Sequence, residues 1–212
     1  MASHPYSLAE WITDGVIHAV GVILVLVAVG ILLHLALDAG DPRVIVASAI
    51  YATGLIASFG CSAAYNMTLA PGWRAWLRRF DHAAIYLMIA GTYTPLSLSC
   101  IGGTLGHGLL ALVWSVALVG VILKLGWPHR FERLSLVLYL SLGWIGLIVI
   151  GRIIAVLPVP ALILLLIGGI FYSLGVVFHL WSRLPFQNAI WHGFVLTAAG
   201  FHYAAVLDSL FP

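Results

Sequence analysis

Val16–Leu37 reads VIHAVGVILVLVAVGILLHLAL, about 22 residues interrupted only by two histidines. At about 1.5 Å per helical residue this run spans roughly 33 Å, enough to cross a hydrocarbon core about 30 Å thick. Six further apolar runs follow, near 44–65, 83–98, 105–123, 134–150, 161–180 and 189–207. Periodicity and length therefore predict an all-α fold, an integral membrane bundle of seven transmembrane helices forming a single domain over residues 1–212. No Pro/Ser-rich linker or internal repeat divides the chain, and an odd helix number argues against a simple pair of inverted repeats.

Composition supports this class and excludes others. Of 212 residues, 63% are hydrophobic and only 8% charged, and the mean hydropathy is +1.12, whereas soluble domains carry about 25% charged residues. A net charge of +2 without a long basic run gives no footprint for nucleic acid. The first apolar run lacks a preceding basic segment and a following small-residue cleavage site, so it is expected to be a retained helix. Cys61 and Cys100 fall near opposite ends of consecutive antiparallel helices, which disfavours a disulfide between them.

The basic residues set an expected orientation. Arg74, Arg78, Arg79, Lys124, Arg130, Arg133 and Arg183 lie on the side that holds the N-terminus, against Arg43 and Arg152 on the other. The positive-inside rule then places the N-terminus in the cytoplasm and the C-terminus outside.

On the N-terminal side, polar residues gather at the helix ends. Ser58–Pro95, SFGCSAAYNMTLAPGWRAWLRRFDHAAIYLMIAGTYTP, holds half of those named below. It joins the end of one apolar run to a short basic loop with two Trp, then to Asp81 and His82 at the mouth of the next run. The first helix adds Asp14 and His18, the second Ser58, Ser62 and Asn66, the sixth His179, and the seventh Asn188 and His192. Ionisable groups at membrane depth usually face a bundle interior or watery cavity, so a site on this side is the default functional reading.

Each has an ordinary alternative. Ser7 and Glu10 have capping-box spacing, and a solvated helix start accounts for Glu10. Gly54, Ser58 and Ser62 repeat every four residues, as in a close-packing seam. Asp81 reads as the N-cap of the third helix as readily as a site carboxylate. His82 and His179 read as interfacial. Asn188 and His192 point the same way one turn apart on the seventh helix, the spacing of a two-ligand helix site. Pro95 predicts a kink late in the third helix, filled by Thr92 or Thr94.

Three segments carry a family likeness: DHAAIYLMIAGTYTP from Asp81, Ser62 with a polar residue four positions on, and IWHGFVLTAAGFHY from Ile190. With WITDGVIHAVG in the first helix, they resemble the hemolysin III proteins, the bacterial branch of the progestin and adipoQ receptor family. The likeness spans essentially the whole chain. It implies a seven-helix bundle with a cytoplasmic N-terminus and a zinc centre near that face. The centre's ligands would be a His four residues after the second-helix Ser, an Asp opening the third helix, and a His-x-x-x-His pair opening the seventh. The related adiponectin receptors and alkaline ceramidases hydrolyse lipid amides.

Ser62, Asp81 and His192 match this pattern, whereas Asn66 and Asn188 stand where the family has His. A carboxamide is a poor substitute for imidazole at zinc. The resemblance thus leaves His192 as the one matching His ligand, with Ser62 and Asp81 as catalytic candidates if the protein is active. Asn66, Asn188, His192 and His18 make up a binding cluster. A rearranged site using His18, His82 or His179 with Asp81 is a further arrangement without a recognisable ligand motif.

Three function classes remain: a lipid-binding or lipid-sensing membrane protein with a degenerate metal site, a zinc-dependent lipid amide hydrolase with an altered site, and a cytolysin. The first is the preferred expectation. Expected partners are membrane lipids and no nucleic acid, with homo-oligomerisation open. The expected location is a bacterial inner or plasma membrane, as a multi-pass protein. A retinal protein is disfavoured because Lys124, the only Lys, lies between the fourth and fifth helices.

Overall fold

A computed structural model describes residues 7–127, 130 and 132–211, which form helices and no strand. Seven spans are long and apolar enough to cross a membrane. They are α1 (Leu8–Ala39), α2 (Pro42–Met67), α3 (Pro71–Pro95), α4 (Gly103–Gly126), α5 (Glu132–Gly143), α6 (Val159–Leu180) and α7 (Gln187–Leu210). The fifth span continues past α5 through a 3-10 turn, Ile145–Val149, and a last helical piece, Ile150–Val156. This is a multi-pass integral membrane protein. Residue 133, whose charge enters the orientation argument, has its side chain outside the described set.

Local chemistry explains most helix starts. Ser7 and Glu10 close a reciprocal capping box, so α1 begins a full turn or more before its apolar run. Asp41 accepts the Arg43 N–H at the head of α2.

The third helix departs from expectation. It starts at Pro71, not near Ala83, because Pro71 takes the first turn without losing a hydrogen bond and the basic PGWRAWLRRF segment is itself helical. The expected basic loop is therefore helix. Asp81 lies well inside α3 and is not its N-cap, a position taken by Ala70 without a side-chain bond.

Pro95 has no N–H for the Gly91 carbonyl, and beyond it the chain widens into a π-helical turn, Leu96–Ile101. Gly102 and Gly103, at φ of 60° and 58°, then turn the chain into α4. Thr92 and Thr94 hydrogen-bond back to the Met88 and Ala90 carbonyls, so neither fills the Gly91 position.

The lipid-facing surface carries Val20, Ile23, Leu24, Val27 and Ile31 of α1, all exposed. Inside, α2 and α3 approach closely: a Cβ on Gly54 would fall 2.8 Å from the Leu87 carbonyl oxygen. Of the expected Gly54, Ser58 and Ser62 seam, Gly54 packs against α3, whereas Ser58 and Ser62 line the cavity described below. Two buried clusters form the core, one around Leu32, Tyr51, Leu55 and Val206, the other around Tyr86, Val113, Ala117 and Leu142.

Cross-helix bonds define two ends. At one, Glu10 of α1 accepts the Phe186 N–H before α7, Arg78 of α3 pairs with Glu132 of α5, and Arg79 donates to the Leu125 carbonyl of α4. At the other, Arg152 donates to the Ile101 carbonyl and the Cys100 thiol to the Ser209 carbonyl. Cys61 and Cys100 are both free.

Candidate functional site

The buried face of α1 runs Glu10, Asp14, His18, Gly21, Val25, Val29, Leu32, Ala36. Steps of three and four keep these residues on one stripe. The stripe is ionisable at the N-terminal end and apolar beyond. Glu10 is not solvated. It is buried, and its Oε1 accepts the Phe186 N–H at 2.7 Å while Oε2 takes the Ser7 N–H. Phe186 is the one non-Gly residue with positive φ among those described, at 58°. Glu10 thus fastens the start of α1 to the turn that launches α7.

One turn deeper, Asp14 meets α7. Its Oδ1 lies 2.6 Å from His192 Nδ1, and Oδ2 lies 3.7 Å from His18 Nε2. The two imidazole rings pack with centroids 4.3 Å apart. Asp14 is 1% exposed and His18 5%. Among the described residues, none is within hydrogen-bond distance of His18 Nε2.

Ser62, Asn66, Asp81, His18, Asn188 and His192 all line one cavity of 680 Å³. The bundle brings the expected residues of four helices to a common space. The Asn66 amide stays on its own helix: Nδ2 donates to the Ser62 carbonyl at 2.9 Å and to the Ser62 hydroxyl at 3.4 Å. His82 and His179 also line the cavity but stand apart from the Asp14 group. The His82 ring lies edge-on to Tyr65 and its carbonyl accepts the Tyr139 hydroxyl. The His179 ring packs on Trp191, while its carbonyl accepts from Gln187.

From this polar end the cavity extends past Met88, Tyr139 and Tyr172 to Leu157, Leu162 and Leu165. Its basic lining comes from Arg74, Arg78 and Lys124. Arg78 also holds the exposed Glu132 carboxyl below its usual pKa, chiefly through their hydrogen bond.

Zinc does not fit the donors at the position implied by resemblance. Asn66 and Asn188 offer carboxamides, and Asn66 is bonded to its own helix. One imidazole and one carboxylate remain, short of the three good donors such a site takes.

Asp14 was the residue hardest to select from sequence. Its four-residue spacing to Glu10 and His18 was visible, but no local motif paired it with a His on the last helix.

The family model for "Haemolysin-III related" proteins matches residues 8–203. The chain is 36% identical over 202 residues to "Hemolysin-3 homolog" of Bacillus subtilis (strain 168), covering 95% of each protein. It is 36% identical over 203 residues to "Hemolysin-3" of Bacillus cereus, covering 96% of this chain and 93% of that one. "Monocyte to macrophage differentiation factor" of Homo sapiens is 32% identical over 172 residues, covering 76% of this chain and 69% of that one.

Proposed function

The chain belongs to the haemolysin-III related family, and on that premise we propose that it binds a membrane lipid inside its bundle, as a lipid-binding or lipid-sensing protein whose inherited zinc position is degenerate. The observation that carries this reading is the cavity's amphipathic lining. Its ionisable end, with His18, Asp81 and His192, suits a hydrogen-bonding headgroup. Its far end, with Leu157, Leu162 and Leu165, suits an acyl chain. At 680 Å³ it falls within the usual range of small-molecule sites, roughly 300–1,000 Å³. The positive-inside bias supports a cytoplasmic polar end.

Native mass spectrometry of protein purified in mild detergent tests this. The expected result is about one retained phospholipid- or sphingolipid-class molecule per chain. Leu165→Trp, which fills the apolar end, should expel it while leaving a monodisperse folded protein. A chain that retains no lipid, or a Trp variant that retains lipid unchanged, would overturn the reading.

A further inference from the structure

We infer that Asp14, His18 and His192 form a binding site for one divalent transition-metal ion of the zinc class, built between α1 and α7. The site shares only His192 with the zinc position implied by resemblance. It takes its other two donors from α1, in place of the second-helix residue and Asn188.

Donor type and spacing carry the inference. Two imidazole nitrogens and a carboxylate oxygen, all within 4.8 Å of one another, converge from two helices. Two His and one carboxylate are a three-donor set that zinc accepts, leaving a position for water or ligand. A tetrahedral ion with bonds of about 2.0–2.2 Å holds its donors about 3.4 Å apart. The separations of 2.6 Å from Asp14 to His192 and 3.7 Å from Asp14 to His18 lie on either side of that value.

A second observation points the same way. His18 Nε2 is buried 3.7 Å from a carboxylate oxygen yet has no hydrogen-bond partner among the described residues. Buried polar nitrogens are rarely left so. An ion bound by Asp14 and His192 would give that nitrogen the bond it lacks. The exchange balances simply: the metal enters, and any proton held at His18 Nε2 or His192 Nδ1 leaves to solvent.

Asp81 lines the same cavity as His18 and His192, whereas two other carboxylates at this end are engaged elsewhere. Glu10 bonds Ser7 and the Phe186 N–H, and Glu132 pairs with Arg78.

The test uses full-length protein purified in detergent without chelator and supplied with zinc. Elemental analysis should give about one zinc per chain. His18→Ala and Asp14→Asn should both fall to the detergent blank, while Asn66→Ala and Asn188→Ala should keep their metal. Because a buried truncation can unfold the bundle, His18→Cys supplies a second measurement. Loaded with cobalt(II), it should gain a thiolate-to-metal charge-transfer band that the unmodified protein lacks, which a merely structural His18 would not produce. Zinc-free native protein would overturn the site, and so would metal retained in folded His18→Ala or a His18→Cys protein without the new band. Lipid retained on the same samples reports on the proposed function separately, so loss of metal with lipid kept defeats only this inference.

Discussion

His192 and His202 lie on the same face of α7, and the protein uses them differently. At the ionisable end, His192 Nδ1 meets the buried Asp14 carboxylate of α1 at 2.6 Å. At the other end, His202 Nε2 lies 3.3 Å from the Leu165 carbonyl of α6, with its ring edge-on to Tyr172. Residue type, helix and stripe are shared. What distinguishes them is the partner: a backbone carbonyl ties an imidazole into helix packing, whereas a buried carboxylate sets one beside an ionisable group and a second imidazole.

One substitution at both positions should break the comparison most visibly. His192→Phe removes the imidazole 2.6 Å from the Asp14 carboxylate, and losing half of a buried pair destabilises by about 3–5 kcal/mol. His202→Phe keeps most of the ring volume and removes one neutral hydrogen bond, worth about 0.5–1.5 kcal/mol. Thermal or denaturant unfolding in detergent measures both. Equal losses would mean that the two histidines do the same structural work.

A smaller effect sharpens the packing side of the contrast. A Cβ on Gly168 would fall 2.2 Å from the His202 ring and 3.2 Å from the Ala198 carbonyl oxygen. Gly168→Ala should therefore swing that ring off Leu165 and destabilise by about 1–3 kcal/mol, the usual range for overpacking. Metal content should not change. If Gly168→Ala alters it, the two ends are coupled and the comparison fails.

The smallest effect is at the bundle's ionisable end but on its surface. Glu132 has a depressed pKa in the folded state through its hydrogen bond with Arg78. Its contribution is therefore present above the pKa of an unfolded Glu and is lost as pH falls through the lower folded value. The carboxylate side is half exposed, so the pair is worth less than about 1 kcal/mol. Glu132→Gln should flatten the acid limb of the stability profile slightly while leaving stability at neutral pH nearly unchanged. A loss above 1 kcal/mol at neutral pH would show that this surface pair does more than an exposed ion pair does.

How far the sequence reaches differs from element to element. The capping box at Ser7 and Glu10 announced the early start of α1, since a cap is a local event among four residues. Glu10 itself was misjudged. Its burial comes from Phe186, far along the chain, and a local reading offers only solvent as its partner. The third helix was placed too late because hydropathy marks where a helix enters apolar surroundings, whereas Pro71 and the basic segment determine where it begins. Pro95 predicted a distortion, but its form as a π-helical turn depends on the packing of α4 and the glycines that follow.

Local chemistry decided the rest in advance. Seven apolar runs of spanning length and a scarcity of charge committed this chain to a membrane bundle, because unpaired backbone groups cannot be left in hydrocarbon and helices satisfy them within one segment. Sequence also determined that Asp14 and His18 share a face of α1 and that Asn188 and His192 share a face of α7, since both follow from a helical repeat. Only the tertiary structure decided that these two faces meet. Which of several carboxylates reaches His192 depends on how α1 lies against α7, and that is fixed by packing along their full lengths, including the Tyr203 hydroxyl donated to the Ala28 carbonyl well away from the site.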